Sequence, residues 1–257
     1  MDVFLFNPTR YKFDLVNALG CALASFLSYE DSAVGKQTVN EWGFDKFEDF
    51  VCRQHYGIAF GNDEMILIAF RGTNERADWL ANLNILFRRS PMGWVHRGFM
   101  KGAELFWPRL PQKISEFRDR NQSIWVTGHS LGGALAVLAT AKLLADDNLD
   151  IAGLYTFGQP PVGARGFCSN FENRLENRYF RFVNHTDAVS DVPIFFREHV
   201  GEVRYFDTSG TLWEGEPPWR VGFLDQVRAP GKYGGLSQFT AHSMKNYIEL
   251  IRKHASL

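Results

Sequence analysis

Apolar residues recur at helical spacing near the amino terminus: in FDLVNALGCALASFLSYE, Leu15, Leu19, Ala22, Leu23, Phe26 and Leu27 share one face. The first 50 or so residues accordingly read as helical. The period then changes, and YGIAFGNDEMILIAFRGT sets two apolar runs on either side of Gly61-Asn62-Asp63, which reads as a hairpin. From Phe99 the chain alternates: a helical stretch to about Arg120, a strand over 124–127, a helix over 131–145, a strand over 151–157, a helix around 166–175 and a strand over 179–183. Buried apolar strands separated by amphipathic helices predict crossover units, hence a parallel sheet with helices on both faces, the α/β class. A strand pair around GEVRYFDTSG, a glycine-rich loop over 231–235 and a last helix, HSMKNYIELIRKH, complete the pattern. No fixed-period repeat and no proline- or glycine-rich linker divides it. Residues 1–257 therefore read as one domain, with 1–50 a helical extension packed on it.

Composition narrows the partners more than the fold. With 28 basic against 29 acidic side chains and a formal net charge of -1, there is no electrostatic reason to expect nucleic acid. Cys21, Cys52 and Cys168 show neither a disulfide framework nor metal-ligand spacing, so no metal is expected and a reducing compartment is preferred. The start, MDVFLFNPTRYKFD, lacks the basic and apolar regions of a signal peptide, which leads us to expect a cytoplasmic protein. No run reaches the roughly 20 apolar residues of a membrane-spanning helix, so membrane contact would be peripheral.

One corner of the pattern carries chemistry. Gly128-His129-Ser130-Leu131-Gly132 matches G-x-S-x-G with a predicted strand before it and a predicted helix after it. In so tight a turn side chains at the glycine positions would strike backbone, and the serine is pushed out at a helix amino terminus, where the dipole favours an oxyanion. The bland alternative is that Ser130 is only a helix cap. On this elbow the catalytic order along the chain is Ser, then Asp or Glu, then His. Asp187, just after the strand ending at Val183, is the candidate acid, and Asp191 is its rival; either could instead be a turn former. Of the later histidines, His199 leads into the strand pair and His254 sits in a polar carboxyl terminus. His242, after the glycine-rich loop, is the candidate base.

The segments AFRGT (69–73), VHRGF (95–99), GHSLGGALA (128–136), TFGQPPVG (156–163), FVNHTDAVSDVP (182–193) and AHSMKNY (241–247) resemble, in order, the signature segments of the fungal-type class 3 lipases of the α/β-hydrolase fold. The resemblance extends from about residue 55 to the carboxyl terminus. It implies that Ser130, Asp187 and His242 are nucleophile, acid and base, and that the oxyanion hole is formed by Thr73 and the backbone N–H of Leu131. It further implies a lid over about 74–87, where Trp79, Leu80, Leu83 and Phe87 would form the apolar face of a helix. Pro160-Pro161 and Ala241 depart from the usual pattern without removing a reacting group.

The expectation is then a cofactor-free serine ester hydrolase acting on acylglycerols at an oil–water or membrane interface, a monomer by default. Phospholipase A1 or a short-chain carboxylesterase is the alternative within the same chemistry. A non-catalytic lipid- or protein-binding module on a hydrolase fold is the alternative outside it.

Overall fold

The computed structural model describes residues 3–73, 86–185, 187, 189, 198–218, 221 and 241–255. Along them the elements run α1 (Leu15–Leu27), α2 (Ser32–Glu41), β1 (Lys46–Cys52), β2 (His55–Gly61), β3 (Met65–Phe70), β4 (Phe87–Ser90), β5 (Gly93–His96), α3 (Arg97–Glu104), α4 (Arg109–Phe117), β6 (Ser123–His129), α5 (Leu131–Ala145), β7 (Gly153–Phe157), α6 (Arg165–Leu175), β8 (Tyr179–Asn184), β9 (Glu202–Phe206), β10 (Leu212–Glu214) and α7 (Met244–Ala255).

Eight strands form one sheet in the order β1-β2-β3-β6-β7-β8-β9-β10. Neighbours from β3 through β9 are parallel, whereas β1, β2 and β10 pair antiparallel at the edges. All residues of β3, β7 and β8 are buried, as two covered faces require. The pleat sorts them: Ile66, Ile68 and Phe70 join the core under α3, α4, α5 and α6, while Met65, Leu67 and Ala69 join the core under α1, α2 and α7. This is the expected α/β architecture. Asp14 caps α1, accepting from the Val16 N–H at 2.7 Å, and 10 of the 13 residues of α1 are buried.

The register lines up the carboxyl ends of the central strands. Phe70 pairs with Gly128, Gly128 with Thr156, and Phe157 with Phe182. The residues that follow these positions, Gly72-Thr73, Ser130, Gly158 and Asp187, therefore converge at one edge, where open α/β sheets place reactive groups.

Three expectations need correction. Residues 46–52 form an edge strand rather than helix: Phe47 and Phe50 sit three apart, which mimics helical period, and only Phe50 is buried. The helical stretch from Phe99 is two helices, because Pro108 has no amide hydrogen to continue the first. Phe87 does not end a helix; it opens β4, and β4 with β5 forms a two-stranded ribbon that periodicity did not reveal. Trp79, Leu80, Leu83, Asp191 and the 231–235 loop lie outside the described residues.

Candidate active site

Ser130 joins β6 to α5 with φ 59° and ψ −130°, a conformation costing an L-residue about 1–3 kcal/mol. The strain is held by its surroundings. The Ser130 N–H donates to the Phe157 carbonyl of β7 at 2.9 Å. A Cβ at Gly128 would overlap the Gly132 carbonyl, and one at Gly132 would overlap the Phe70 carbonyl at the end of β3. A Cβ at Gly133 would come within 2.9 Å of the Gln159 side chain. The three glycines are thus what lets helix, elbow and two strands meet.

The serine side chain does not cap α5, so the bland reading of Ser130 fails on geometry. Its Oγ is buried without a hydrogen-bond partner, and so is His242 Nε2. Two such atoms in one buried site are costly unless reaction uses them. The Leu131 N–H, at the first helical position, has no intrahelical acceptor and lies where the dipole favours negative charge. The Gly72-Thr73 segment approaches from β3, with a Cβ at Gly72 coming 3.0 Å from the Ser130 Cβ.

His242 Nδ1 lies 2.7 Å from Asp187 Oδ2. A carboxylate oxygen only accepts here, so Nδ1 carries a proton, and Nε2 is the ring nitrogen left without a hydrogen-bond partner. Asp187 is 2% exposed. Its Oδ1 accepts from the Val189 N–H at 3.0 Å and its Oδ2 accepts a second bond from the Tyr247 hydroxyl at 2.7 Å. That hydroxyl in turn accepts from the Asn184 N–H at 3.0 Å. Burial, reinforced by the Asp187 carboxylate, pushes the Tyr247 phenol well above its ordinary range, so it stays a donor. Asn184 Nδ2 donates to the Ala241 carbonyl at 2.9 Å, tying the end of β8 to the residue before the base.

His129 holds the same residue from the other side. Its Nε2 lies 2.7 Å from the His242 carbonyl, which can only accept, so Nε2–H is the donor. Its Nδ1 then receives the Tyr29 hydroxyl, 2.8 Å away, from the α1–α2 junction. Gly158, at φ +56°, leaves the room that Asp187 and His242 occupy. The loop carrying Gly158 is pinned by Gln159, whose Oε1 accepts from the hydroxyls of Thr156 and Tyr179.

The fold therefore brings Ser130, Leu131, Thr73, Asp187 and His242 to one edge of the sheet. His254 is elsewhere, accepting from the Leu212 N–H at the α7–β10 junction, and Phe87 is an exposed ribbon residue. Sequence reasoning missed Tyr29, His129, Gly158 and Tyr247. The spacing of His129 beside the serine and of Tyr247 five residues after the base was the available signal.

A family model described as lipase (class 3) matches residues 67–196, just over half the chain. A triacylglycerol lipase of Ricinus communis is 29% identical over 259 residues, covering 73% of this chain and 49% of its own length. A chloroplastic phospholipase A(1) of Arabidopsis thaliana is 24% identical over 234 residues, covering 78% of this chain and 52% of its own. The chain thus spans about half the length of these relatives. Among solved structures, a triacylglycerol lipase described as having a serine protease triad in its catalytic centre superposes with a TM-score of 0.65 at 26% identity, over 77% of this chain and 82% of that one.

Proposed function

Because the chain belongs to the class 3 lipase family, we propose that it is a serine ester hydrolase that cleaves acylglycerol esters through an acyl-Ser130 intermediate. The observation that carries the proposal is the strained, non-capping Ser130 beside a His242 whose Nδ1–H is committed to Asp187.

Ser130 Oγ attacks the ester carbonyl carbon while His242 Nε2 takes the hydroxyl proton, and the Asp187 carboxylate stabilises the imidazolium. The carbonyl oxygen becomes an oxyanion facing the Leu131 and Thr73 N–H groups, each worth about 3–4 kcal/mol of transition-state stabilisation. Collapse breaks the carbon–oxygen bond, and the departing alcohol, a glyceride with one acyl chain fewer, receives the proton from Nε2. Water then attacks the acyl-serine, gives its proton to Nε2, and the proton returns to Ser130 Oγ as the fatty acid leaves. The Ser130–His242 hydrogen bond is open in this structure and closes in the Michaelis complex.

Ser130 is fully shielded from solvent, so substrate entry requires a covering segment to move. Activity should then rise steeply as substrate passes from monomers to droplets.

The test is Ser130→Ala. We expect loss of p-nitrophenyl ester hydrolysis by at least about 10⁴-fold, an unchanged melting curve, and loss of the fluorophosphonate adduct that the unsubstituted protein forms on Ser130. Retention of most activity would overturn the mechanism. Likeness to the phospholipase A(1) favours one second reading, and fatty-acid release from triolein against phosphatidylcholine separates the two.

A further inference from the structure

The β4–β5 ribbon is held to the body of the protein by hydrogen bonds and carries exposed side chains. His96 N–H donates to the Val162 carbonyl at 2.9 Å, Ala164 N–H to the Trp94 carbonyl at 2.8 Å, and Arg97 N–H to the Leu86 carbonyl at 2.7 Å. Asn170 Nδ2 holds the Met92 carbonyl at 2.8 Å, and Arg88 pairs with Glu104 at 2.6 Å. Arg89 stands directly opposite Trp94, so strand alternation puts Phe87, Arg89 and Trp94 on one side of the ribbon. Trp94 is 53% exposed, Phe87 44% and Leu86 41%. Arg89 and Arg97 are exposed as well. Among the described residues neither has an ion-pair partner. Arg97 opens α3 at the positive end of its dipole, where a cation is disfavoured without an outside counter-charge.

We propose that this ribbon anchors the protein to a phospholipid surface that carries negative charge. Trp94 and Phe87 enter the boundary between headgroups and acyl chains, and Arg89 beside them and Arg97 at the start of α3 meet anionic headgroups. The chain as a whole has a net charge of -1, so the attraction is local to this face. The two partly exposed aromatic side chains offer roughly a few hundred Å² at most, well short of the about 800 Å² per partner of a stable protein interface. Exposed aromatic side chains next to exposed guanidinium groups suit a diffuse anionic surface instead. The proposal rests on the lipase reading insofar as it names the surface on which that site would work, while the binding itself needs no hydrolysis.

The experiment uses the full chain carrying Ser130→Ala, co-sedimented with vesicles of phosphatidylcholine alone and of phosphatidylcholine mixed with phosphatidylglycerol. Each arginine near the surface contributes about fivefold, so partition should favour the anionic vesicles by roughly thirtyfold. Adding Arg89→Gln and Arg97→Gln should erase that preference, as should high salt. Trp94→Ala should weaken partition to both vesicle types by about fivefold. With Ser130 intact, the double arginine variant should keep its activity on a soluble short-chain ester. Equal partition to both vesicle types, or a preference that survives the double substitution, overturns the proposal. So does a concentration-dependent dimer that Trp94→Ala dissolves, which would give the face to a second copy. Selective vesicle binding by a protein that cleaves no ester would leave the anchor standing and remove the hydrolase reading.

Discussion

A single methyl group at Gly158 should separate the acid from the base. Built on this backbone, a Cβ at residue 158 would sit against Asp187 Oδ2, 2.7 Å from His242 Nδ1 and 2.8 Å from its Cε1. Ordinary contacts need about 3.5 Å, so the imidazole must give by about 0.7 Å and the carboxylate by about 1 Å, and they are the pair joined at 2.7 Å. A 1 Å misplacement costs on the order of 10² in rate and loss of the orienting carboxylate on the order of 10⁴, which brackets the expected fall in kcat/KM for Gly158→Ala. The backbone adds its own cost. A left-handed alanine costs about 1–2 kcal/mol and overpacking about 1–3 kcal/mol, which should lower Tm by roughly 5–15 °C. The assay is kcat/KM on a p-nitrophenyl ester below the melting range, beside a thermal melt. Gly166→Ala, where a Cβ meets nothing within 4 Å, is the control and should leave both unchanged. A folded Gly158→Ala protein with kcat/KM within about threefold of the parent would refute the steric argument.

Three further outcomes follow from the same contacts. Tyr247→Phe strands the buried Asn184 N–H and removes one donor from Asp187, so urea melts should show a loss of about 2–4 kcal/mol; a change under about 0.5 kcal/mol would contradict it. Asp187→Asn should lower kcat by about 10⁴ by favouring the wrong His242 tautomer, and a loss of less than about tenfold would point to another acid. Burial pushes the Cys168 thiol up to about 12 from its ordinary 9.0. Its contribution to stability is whole below the unfolded thiol's pKa and is lost as pH rises above that value through the folded thiol's, about 12. Urea midpoints should therefore decline less steeply on the alkaline side in Cys168→Ala, and equal slopes would sink the assignment.

How much of this could be read from the chain depended on whether a feature was local. The elbow was legible because glycine spacing, an apolar run before it and an alanine-rich run after it lie within about 20 residues of Ser130. The central strands were legible because burial on both faces leaves uninterrupted apolar runs. Edge strand β1 was not: with Glu48 and Asp49 inside it and Phe50 alone buried, it carries no strand signature. The β4–β5 ribbon was hidden for a related reason, since FRRSPMGWVH displays Phe87 and Trp94 outward while it buries Met92 and Val95. Asp187 and His242 could be ordered but not joined by counting; their contact depends on Gly158 and Tyr247, which become neighbours only through the sheet register. Tyr29 is 100 residues from His129 in sequence, and no periodicity announces such a pair.

The backbone of Ser130 has a consequence for how the molecule comes into being. The Ser130 N–H is held by the Phe157 carbonyl, which emerges 27 residues later. A chain leaving the ribosome amino terminus first therefore carries a relaxed, unreactive serine until β7 docks. The base arrives later still, at residue 242. Under the proposed mechanism a growing or fragmentary chain is thus no esterase, and the appearance of a fluorophosphonate adduct during refolding would mark the moment at which the sheet has closed around the elbow.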